Sequence, residues 1–148
     1  MTVDANPDTS IRAIDTWNCA LRLGYVILYV PDVAAALAFY NRAFGLKTRF
    51  IAPGDDYGEL ETGGTALAFA AEALIESQNV VFRANRPDGE PAGVEVGLVA
   101  EDVAGAYAAA VAAGAAPLHP PRRKPWGQSV AYVRDCNGFL VELCSQMA

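Results

Sequence analysis

Apolar residues along the chain occur in short runs typical of strands and in one stretch with helical spacing. This order of segments occurs twice. In the first half, Leu23 to Val30 is rich in Val, Leu and Tyr and ends at Pro31, which predicts a strand followed by a turn. Asp32 is the predicted helix cap, because its carboxylate can accept hydrogen bonds from the free amides of the first turn. The residues predicted to share one buried stripe of this helix are Val33, Leu37, Tyr40 and Phe44.

Three strand-like segments follow this helix, which is predicted to end at Gly45. The turn-forming pairs Pro53-Gly54 and Gly63-Gly64 separate them. The three segments are Leu46 to Ile51, Tyr57 to Glu61 and Thr65 to Ala70. The first half is therefore predicted to be a βαβββ module.

The second half repeats this order. Val94 to Val99 predicts a strand, and Asp102 is the predicted cap of a second helix. Its apolar stripe and closing glycine are Val103, Tyr107, Ala110 and Gly114. The later strands are predicted to start at Pro117-Leu118, to cover Ser129 to Arg134, and, after the turn Asp135-Cys136-Asn137-Gly138, to cover Phe139 to Cys144. Two equivalent βαβββ modules indicate a duplicated half-domain.

A chain of 148 residues, 53% of them hydrophobic, is long enough for one buried core and too short for two independent domains. We predict an N-terminal extension at 1–21 and one α+β domain at 22–146, with modules at about 23–75 and 93–145 and a linker at 76–92. In the extension, Ser10, Ile11, Ile14 and Trp17 suggest a short amphipathic turn that docks on a partner chain, with a frayed tail as the alternative.

Charge and hydropathy exclude several partners. A net charge of −6 argues against binding nucleic-acid phosphates, which requires an excess of Lys and Arg on one face. No apolar run reaches the roughly 18 to 20 residues that cross a bilayer, so no membrane is expected. The first residues lack the layout of a secretory signal, which predicts a cytoplasmic location. The three cysteines show no metal-binding or disulfide spacing, so reduced thiols are expected.

Several stretches resemble one known superfamily, the glyoxalase I, bleomycin-resistance and extradiol-dioxygenase proteins, also called vicinal-oxygen-chelate proteins. The matching stretches are Tyr29-Val30-Pro31-Asp32-Val33, Phe39-Tyr40, Phe44-Gly45-Leu46, Pro125-Trp126-Gly127-Gln128 and Asp135-Cys136-Asn137-Gly138-Phe139-Leu140-Val141-Glu142-Leu143. The resemblance implies two βαβββ modules forming a curved mixed sheet around a central pocket. It also implies a homodimer, because relatives often pair their halves between two chains.

The resemblance also implies where metal ligands would lie. In the metal-dependent relatives they come from the first and last strands of each half and are mostly His and Glu. Those positions hold Tyr25, Ala68, Glu95 and Glu142, of which only Glu142 matches the enzymes. Zinc and iron sites typically need three ligands with imidazole among them, so no cofactor is expected. The alternative is a divalent metal held by Glu95 and Glu142. The lone His119 is predicted to lie in a Pro-rich loop outside this pattern.

Strand alternation predicts a hydrophobic pocket on the concave face. Its predicted lining is Tyr25, Tyr29, Ala66, Ala68 and Val99, with Glu95 and Glu142 as polar features. Alternatively, Ala66, Ala68 and Ala70 accommodate large neighbours in a filled core. At the rim, Trp126 offers a face for stacking on a ligand and Gln128 an amide for orienting it. The alternative for Trp126 is packing on the domain's own core.

Two carboxylates in one apolar cavity repel unless a proton or a cation lies between them. We therefore predict a metal-independent protein that binds a small hydrophobic or basic molecule, such as an antibiotic, and sequesters it. The alternative is a divalent-metal-dependent lyase or isomerase resembling glyoxalase I, or a dioxygenase-like enzyme, with Glu142 and Glu95 as catalytic residues. A partner-binding role without catalysis, and a structural role in which a nearby Tyr or Arg holds Glu142, also remain.

Overall fold

The computed structural model describes residues 20–147, so the predicted amphipathic turn around Ile14 lies outside the described residues. The first module contains β1 (Tyr25–Val30), α1 (Val33–Phe44), β2 (Thr48–Ile51), β3 (Tyr57–Leu60) and β4 (Ala66–Ala71). A short helix, α2 (Glu72–Ser77), follows it. The second module contains β5 (Glu95–Val99), α3 (Val103–Ala112), β6 (Ala116–Arg123), β7 (Ser129–Arg134) and β8 (Leu140–Cys144).

Each module folds into its own four-stranded mixed sheet, with strand orders β1-β4-β3-β2 and β5-β8-β7-β6. In both sheets the first strand runs parallel to the last, and the remaining pairs are antiparallel. The predicted α+β fold of two βαβββ modules is confirmed. Within the described residues the two sheets are separate and not closed, and β1 and β5 are edge strands.

Both long helices begin at the aspartates that the sequence indicates. The Asp32 Oδ1 atom accepts a hydrogen bond from the Ala35 amide at 3.0 Å, and Asp102 Oδ1 accepts one from the Gly105 amide at 2.9 Å. Helix α1 ends at Gly45, whose φ of 69° lies in the left-handed region that glycine adopts without strain. The predicted caps therefore set the starts of both helices and the end of α1, whereas α3 ends at Ala112 with Ala113 as its cap, one residue before Gly114.

The core lies between these helices and one face of each sheet. Helices α1 and α3 contact each other as well as the sheets of their own modules. The strand residues that face this core include Leu28, Val30, Leu67, Phe69, Val133, Val141 and Leu143. Because side chains alternate along a strand, the residues between them point to the opposite side. We call that side, turned away from α1 and α3, the open face of each sheet.

A buried hydrogen bond joins the two modules. The Tyr40 hydroxyl, on α1, donates to Asp135 Oδ2 at 2.6 Å, in the turn between β7 and β8. The Asp135 Oδ1 atom accepts from the amides of Asn137 and Phe139 at 2.8 and 2.9 Å. Burial raises the pKa of Tyr40 well above its ordinary value. Burial also raises the pKa of Asp135, although these hydrogen bonds act in the other direction. The turn predicted from sequence is thus also a link between modules.

The Pro-rich segment predicted as a loop is a strand, so the prediction for His119 is wrong in this respect. Strand β6 contains Pro117, Pro120 and Pro121, and it lies at the edge of its sheet. A proline cannot donate to a neighbouring strand, but an edge strand has a side on which no partner is needed. The pairing with β7 also shifts register on both sides of His119, where the irregular backbone accommodates the prolines.

Helix α2 was not predicted, because its stabilising partners are distant in sequence. The Glu72 carboxylate accepts two hydrogen bonds from Arg86, at 2.7 and 2.8 Å, and Ile75 is buried. Arg86 belongs to the segment that the sequence indicates as a linker. No helix in residues 20–147 combines the length and the apolar character that a membrane span requires.

Candidate functional site

The open face of the first sheet is largely apolar. Ala66, Ala68 and Ala70, on β4, are buried at its centre. On β1, Tyr25 and Ile27 flank them and are 57% and 42% exposed. Four of the predicted pocket residues therefore share this face, namely Tyr25, Tyr29, Ala66 and Ala68. The face presents aromatic and aliphatic surface to solvent in the single chain.

A buried carboxylate that sequence reasoning missed lies on the same face. Glu59 is 5% exposed, and its Oε2 atom accepts a hydrogen bond from the Tyr57 hydroxyl at 2.7 Å. The Arg49 Nη1 atom lies 3.4 Å from its Oε1 atom. Burial raises the pKa of Tyr57, and the hydrogen bond to Glu59 adds to the effect. Strand alternation would have placed Glu59 on this face, but its burial depends on the register with β4. Arg49 and Tyr57 already satisfy this carboxylate.

The second sheet brings the two predicted glutamates together. Glu95 on β5 and Glu142 on β8 lie on adjacent parallel strands and point to the open face. Partial burial raises the pKa of Glu95, and the neighbouring Glu142 carboxyl group raises it further. Two neighbouring carboxylates repel each other unless a proton or a cation lies between them. The pair is therefore a site where a proton or another cation is favoured.

Tyr132, which was not predicted as a site residue, fixes one side of this pair. Its hydroxyl, on β7, donates to Glu142 Oε2 at 3.0 Å, so the alternative in which a nearby tyrosine holds Glu142 agrees with the structure. Burial raises the pKa of Tyr132 to about 12, with contributions from Glu142 and Glu95. Burial and then Glu142 also raise the pKa of Cys144, which lies two positions along β8. Only the pairing of β7 with β8 reveals these neighbours.

Free space adjoins the glutamates. Gly97 lies between Glu95 and Val99 on β5 and is paired with Glu142 in the parallel register. A Cβ atom added to Gly97 would meet no other atom within 4 Å. Within residues 20–147, the ion pairs involve Arg49 and Arg86, and neither arginine contacts Glu95 or Glu142. The pair thus has room for a cationic group, and neither glutamate takes part in an ion pair among the described residues.

The structure divides the predicted pocket residues between the two sheets. Tyr25, Tyr29 and Ala68 belong to the first sheet, whereas Glu95 and Glu142 belong to the second. A cavity of about 240 Å³ lies where β1 and β4 approach β5. Its lining is Val26, Thr62, Thr65, Ala66, Leu67, Glu95, Val96, Gly97 and Leu98. Glu95 and Ala66 are therefore the predicted residues that this cavity brings together.

The predicted rim residues contact each other. The Trp126 indole Nε1 donates to Gln128 Oε1 at 2.9 Å, and Gln128 Nε2 donates to the carbonyl of Ser145 at 2.9 Å. Trp126 is 62% exposed, so the alternative in which it packs on the domain's own core is wrong. Its ring is held by the Nε1 hydrogen bond, and most of the residue's surface is accessible.

The donor set at the four ligand positions does not fit a catalytic zinc or iron site. In residues 20–147, no three His, Cys, Asp or Glu side chains are grouped as metal ligands would be. Ala68 offers no donor, and Tyr25 lies on the other sheet from Glu95 and Glu142. Such sites need at least three ligands, usually including imidazole.

The fold defines the class of protein. It consists of two βαβββ modules, each with its own four-stranded mixed sheet. The sequence model of the Glyoxalase/Bleomycin resistance protein/Dioxygenase superfamily matches residues 22–143. The chain belongs to this superfamily. The resemblance predicted from the sequence motifs is thereby confirmed. No curated protein gives a significant match to the chain.

Solved structures agree with this assignment. A glyoxalase-related enzyme from Fulvimarina pelagi is 22% identical, with a TM-score of 0.72 over 84% of this chain and 88% of that chain. A glyoxalase/bleomycin resistance protein/dioxygenase from Nocardioides is 24% identical, with a TM-score of 0.67 over 87% of this chain and 85% of that chain. TioX from Micromonospora sp. ML1 is 26% identical, with a TM-score of 0.65 over 84% of this chain and 98% of that chain. These similarities support the fold.

Proposed function

We propose that the protein binds a small molecule with a basic group, such as a cationic antibiotic, and that no metal is required. The observation that carries this proposal is the Glu95–Glu142 pair. The two carboxyl groups interact on an open sheet face, beside the space left by Gly97. An ammonium or guanidinium group would offset the repulsion between the two carboxylates.

The energetics favour such a ligand over a neutral one. A hydrogen bond to a charged group contributes about 1.5–3 kcal/mol, and a guanidinium can bond both carboxylates at once. Tyr132 already occupies Glu142 Oε2, which orients that carboxylate. The exposed face of Trp126 can stack on an aromatic ring or a cation of the same ligand. Binding would sequester the molecule without altering it.

We further propose that the pocket is completed in a homodimer. Tyr25, Ile27 and Val99 expose 57%, 42% and 65% of their surface on the open faces, and burying apolar surface contributes about 25 cal/mol per Å². If the first-sheet face of one copy covers the second-sheet face of the other, Tyr25, Tyr29 and Ala68 would lie opposite Glu95 and Glu142.

Light scattering after size exclusion should then give twice the chain mass of 15.6 kDa. Ile27→Lys should give a monomer, whereas Val81→Lys, at a position 98% exposed, should not.

Calorimetry with metal-free protein tests the binding proposal. Bleomycin-class and other basic antibiotics are titrated into the wild type, Glu142→Gln and Gly97→Val. We expect micromolar binding of at least one antibiotic, weakened about tenfold or more in both variants. A Cβ at position 97 would meet no atom within 4 Å, so valine is chosen to fill the space, and Glu90→Gln is the matched control for the lost charge. Wild-type protein that binds none of these antibiotics below the millimolar range would contradict the proposal.

A second candidate is a divalent-metal-dependent lyase or isomerase like glyoxalase I. The raised pKa of Glu95 favours it, because a carboxyl group that titrates closer to neutral pH is suited to proton transfer. This candidate predicts bound metal by elemental analysis and turnover of glutathione hemithioacetal after addition of Mn²⁺, Ni²⁺ or Zn²⁺. Absence of both results would exclude it.

A further inference from the structure

A basic pocket lies on the open face of the second sheet, at the outer edge away from Glu95. It is a cavity of about 130 Å³. Its lining is His119, Pro120, Arg122, Lys124, Val130 and Tyr132. A cluster of His, Arg and Lys around one cavity contrasts with the net charge of −6 of the whole chain. The pocket is therefore a positively charged region on a protein whose net charge is negative.

Strand pairing places this pocket in line with the carboxylate pair. His119 on β6 is paired with Tyr132 on β7, and Tyr132 is paired with Glu142 on β8. Residues paired across antiparallel strands point to the same face, so these three side chains form a row across the sheet. The register shift after His119 brings Arg122 opposite Val130, on this same face. The irregular, proline-containing strand thus places the side chains of His119 and Arg122 around one cavity.

The cationic groups of this pocket have no acidic partner among the described residues. The ion pairs within residues 20–147 do not include Arg122 or Lys124. Tyr132 stands between the pocket and the carboxylates: its ring contacts that of His119 edge-on at 6.1 Å, and its hydroxyl bonds Glu142. The acidic site and the basic pocket are therefore adjacent but separated by one aromatic side chain.

We infer that the basic pocket is an anion subsite and that the ligand carries both charges. A carboxylate, sulfate or phosphate group would bind Arg122, Lys124 and His119, while a basic group binds Glu95 and Glu142. Two interstrand spacings separate β6 from β8, so the two charged groups of the ligand lie about 10 Å apart. The cationic half of this inference rests on the proposed function. The anionic half depends on the basic pocket alone.

The single histidine of the chain makes the anion subsite directly observable. Inorganic phosphate is titrated at constant ionic strength while proton NMR follows the ring signals of His119. We expect a saturable shift in the wild type, with phosphate affinity reduced about tenfold in Arg122→Gln and in Lys124→Gln. Arg123→Gln is the matched control, because Arg123 pairs with Ser129 and does not line the pocket. A shift that never saturates, or that weakens equally in Arg123→Gln, would overturn the anion subsite.

A second titration tests whether one ligand spans both sites. Linear ω-amino carboxylates of increasing chain length are compared by calorimetry with alkylamines of the same length. We expect the carboxylate to increase affinity once the chain spans about 10 Å, and this gain should disappear in Arg122→Gln. A gain that is absent at every chain length would overturn the bipolar ligand.

The two proposals fail separately. If Glu142→Gln leaves amine binding unchanged while phosphate still shifts His119, the carboxylate site is wrong and the anion subsite stands. If amines require Glu142 but phosphate leaves His119 unchanged, the proposed function stands and the anion subsite is wrong.

Discussion

Glu95 and Glu142 show how the chemistry of single residues depends on neighbours from other strands. The family resemblance selected both residues, because it implies ligand positions on the first and last strands of each module. Tyr132, which donates to Glu142, belongs to a middle strand without a recognisable motif. Its relation to Glu142 exists only through the register of β7 and β8, which local patterns do not encode. For the same reason, the environment of Glu59 could not be predicted.

Stability should respond to the raised pKa of Glu95. Folding disfavours the ionised form of a carboxyl group whose pKa is raised, so this residue stabilises the protein less as pH rises. Below the ordinary value of 4.5 the group is protonated in both states and the effect is absent. We therefore expect Glu95→Gln to melt at a higher temperature than wild type at pH 7, and the difference to vanish near pH 4. Glu90→Gln should show no such pH-dependent gain. An unchanged or lower melting temperature of Glu95→Gln at pH 7 would contradict this account.

At the scale of elements, the sequence predicted the helices and strands that are stabilised by contacts within their own segment. The Asp32 and Asp102 caps and the buried stripe of α1 follow from spacing along the chain. The prediction failed at β6, since prolines indicate a loop unless the strand is known to lie at a sheet edge. It also failed at α2, whose Glu72 pairs with Arg86 across a turn and a linker. Both failures come from information that only the assembled sheet order contains.

The turn before β8 should tolerate no side chain at Gly138. Its φ of 87° lies in the left-handed region, and a Cβ atom there would collide with the carbonyl oxygen of Arg86. We expect Gly138→Ala to lower the free energy of unfolding by about 1–3 kcal/mol, measured by urea denaturation. Gly64→Ala is the control, because its Cβ would meet no atom within 4 Å. Equal stabilities for these two variants would refute the steric argument.

The whole molecule depends on contacts between modules that are far apart in sequence. The sequence predicted two modules and their order, and the family match over residues 22–143 agrees. It did not predict how they join, because the Tyr40–Asp135 hydrogen bond links residues of separate modules. It also did not predict that the candidate pocket residues divide between two sheets. A pocket that includes both sets depends on the arrangement of modules rather than on any motif.

Removing the hydroxyl of Tyr40 should weaken the link between modules. Tyr40→Phe leaves the buried Asp135 carboxylate without its side-chain donor, which we expect to cost about 1–3 kcal/mol of unfolding free energy. Tyr107→Phe, at a half-buried position on α3, is the matched control and should change stability much less. Both are measured by urea denaturation at neutral pH. A loss in Tyr40→Phe no larger than in Tyr107→Phe would show that the hydrogen bond does not stabilise the fold.

The central claim is that a ligand cation competes with protons for the Glu95–Glu142 pair. Calorimetric titration with an alkylguanidine, whose own charge does not change, in buffers of different ionisation enthalpy measures protons released on binding. We predict proton release that reaches its maximum where Glu95 is protonated, decreases to zero at higher pH, and is lost in Glu95→Gln. Binding without proton release at any pH, or with equal release in Glu95→Gln, would contradict the claim.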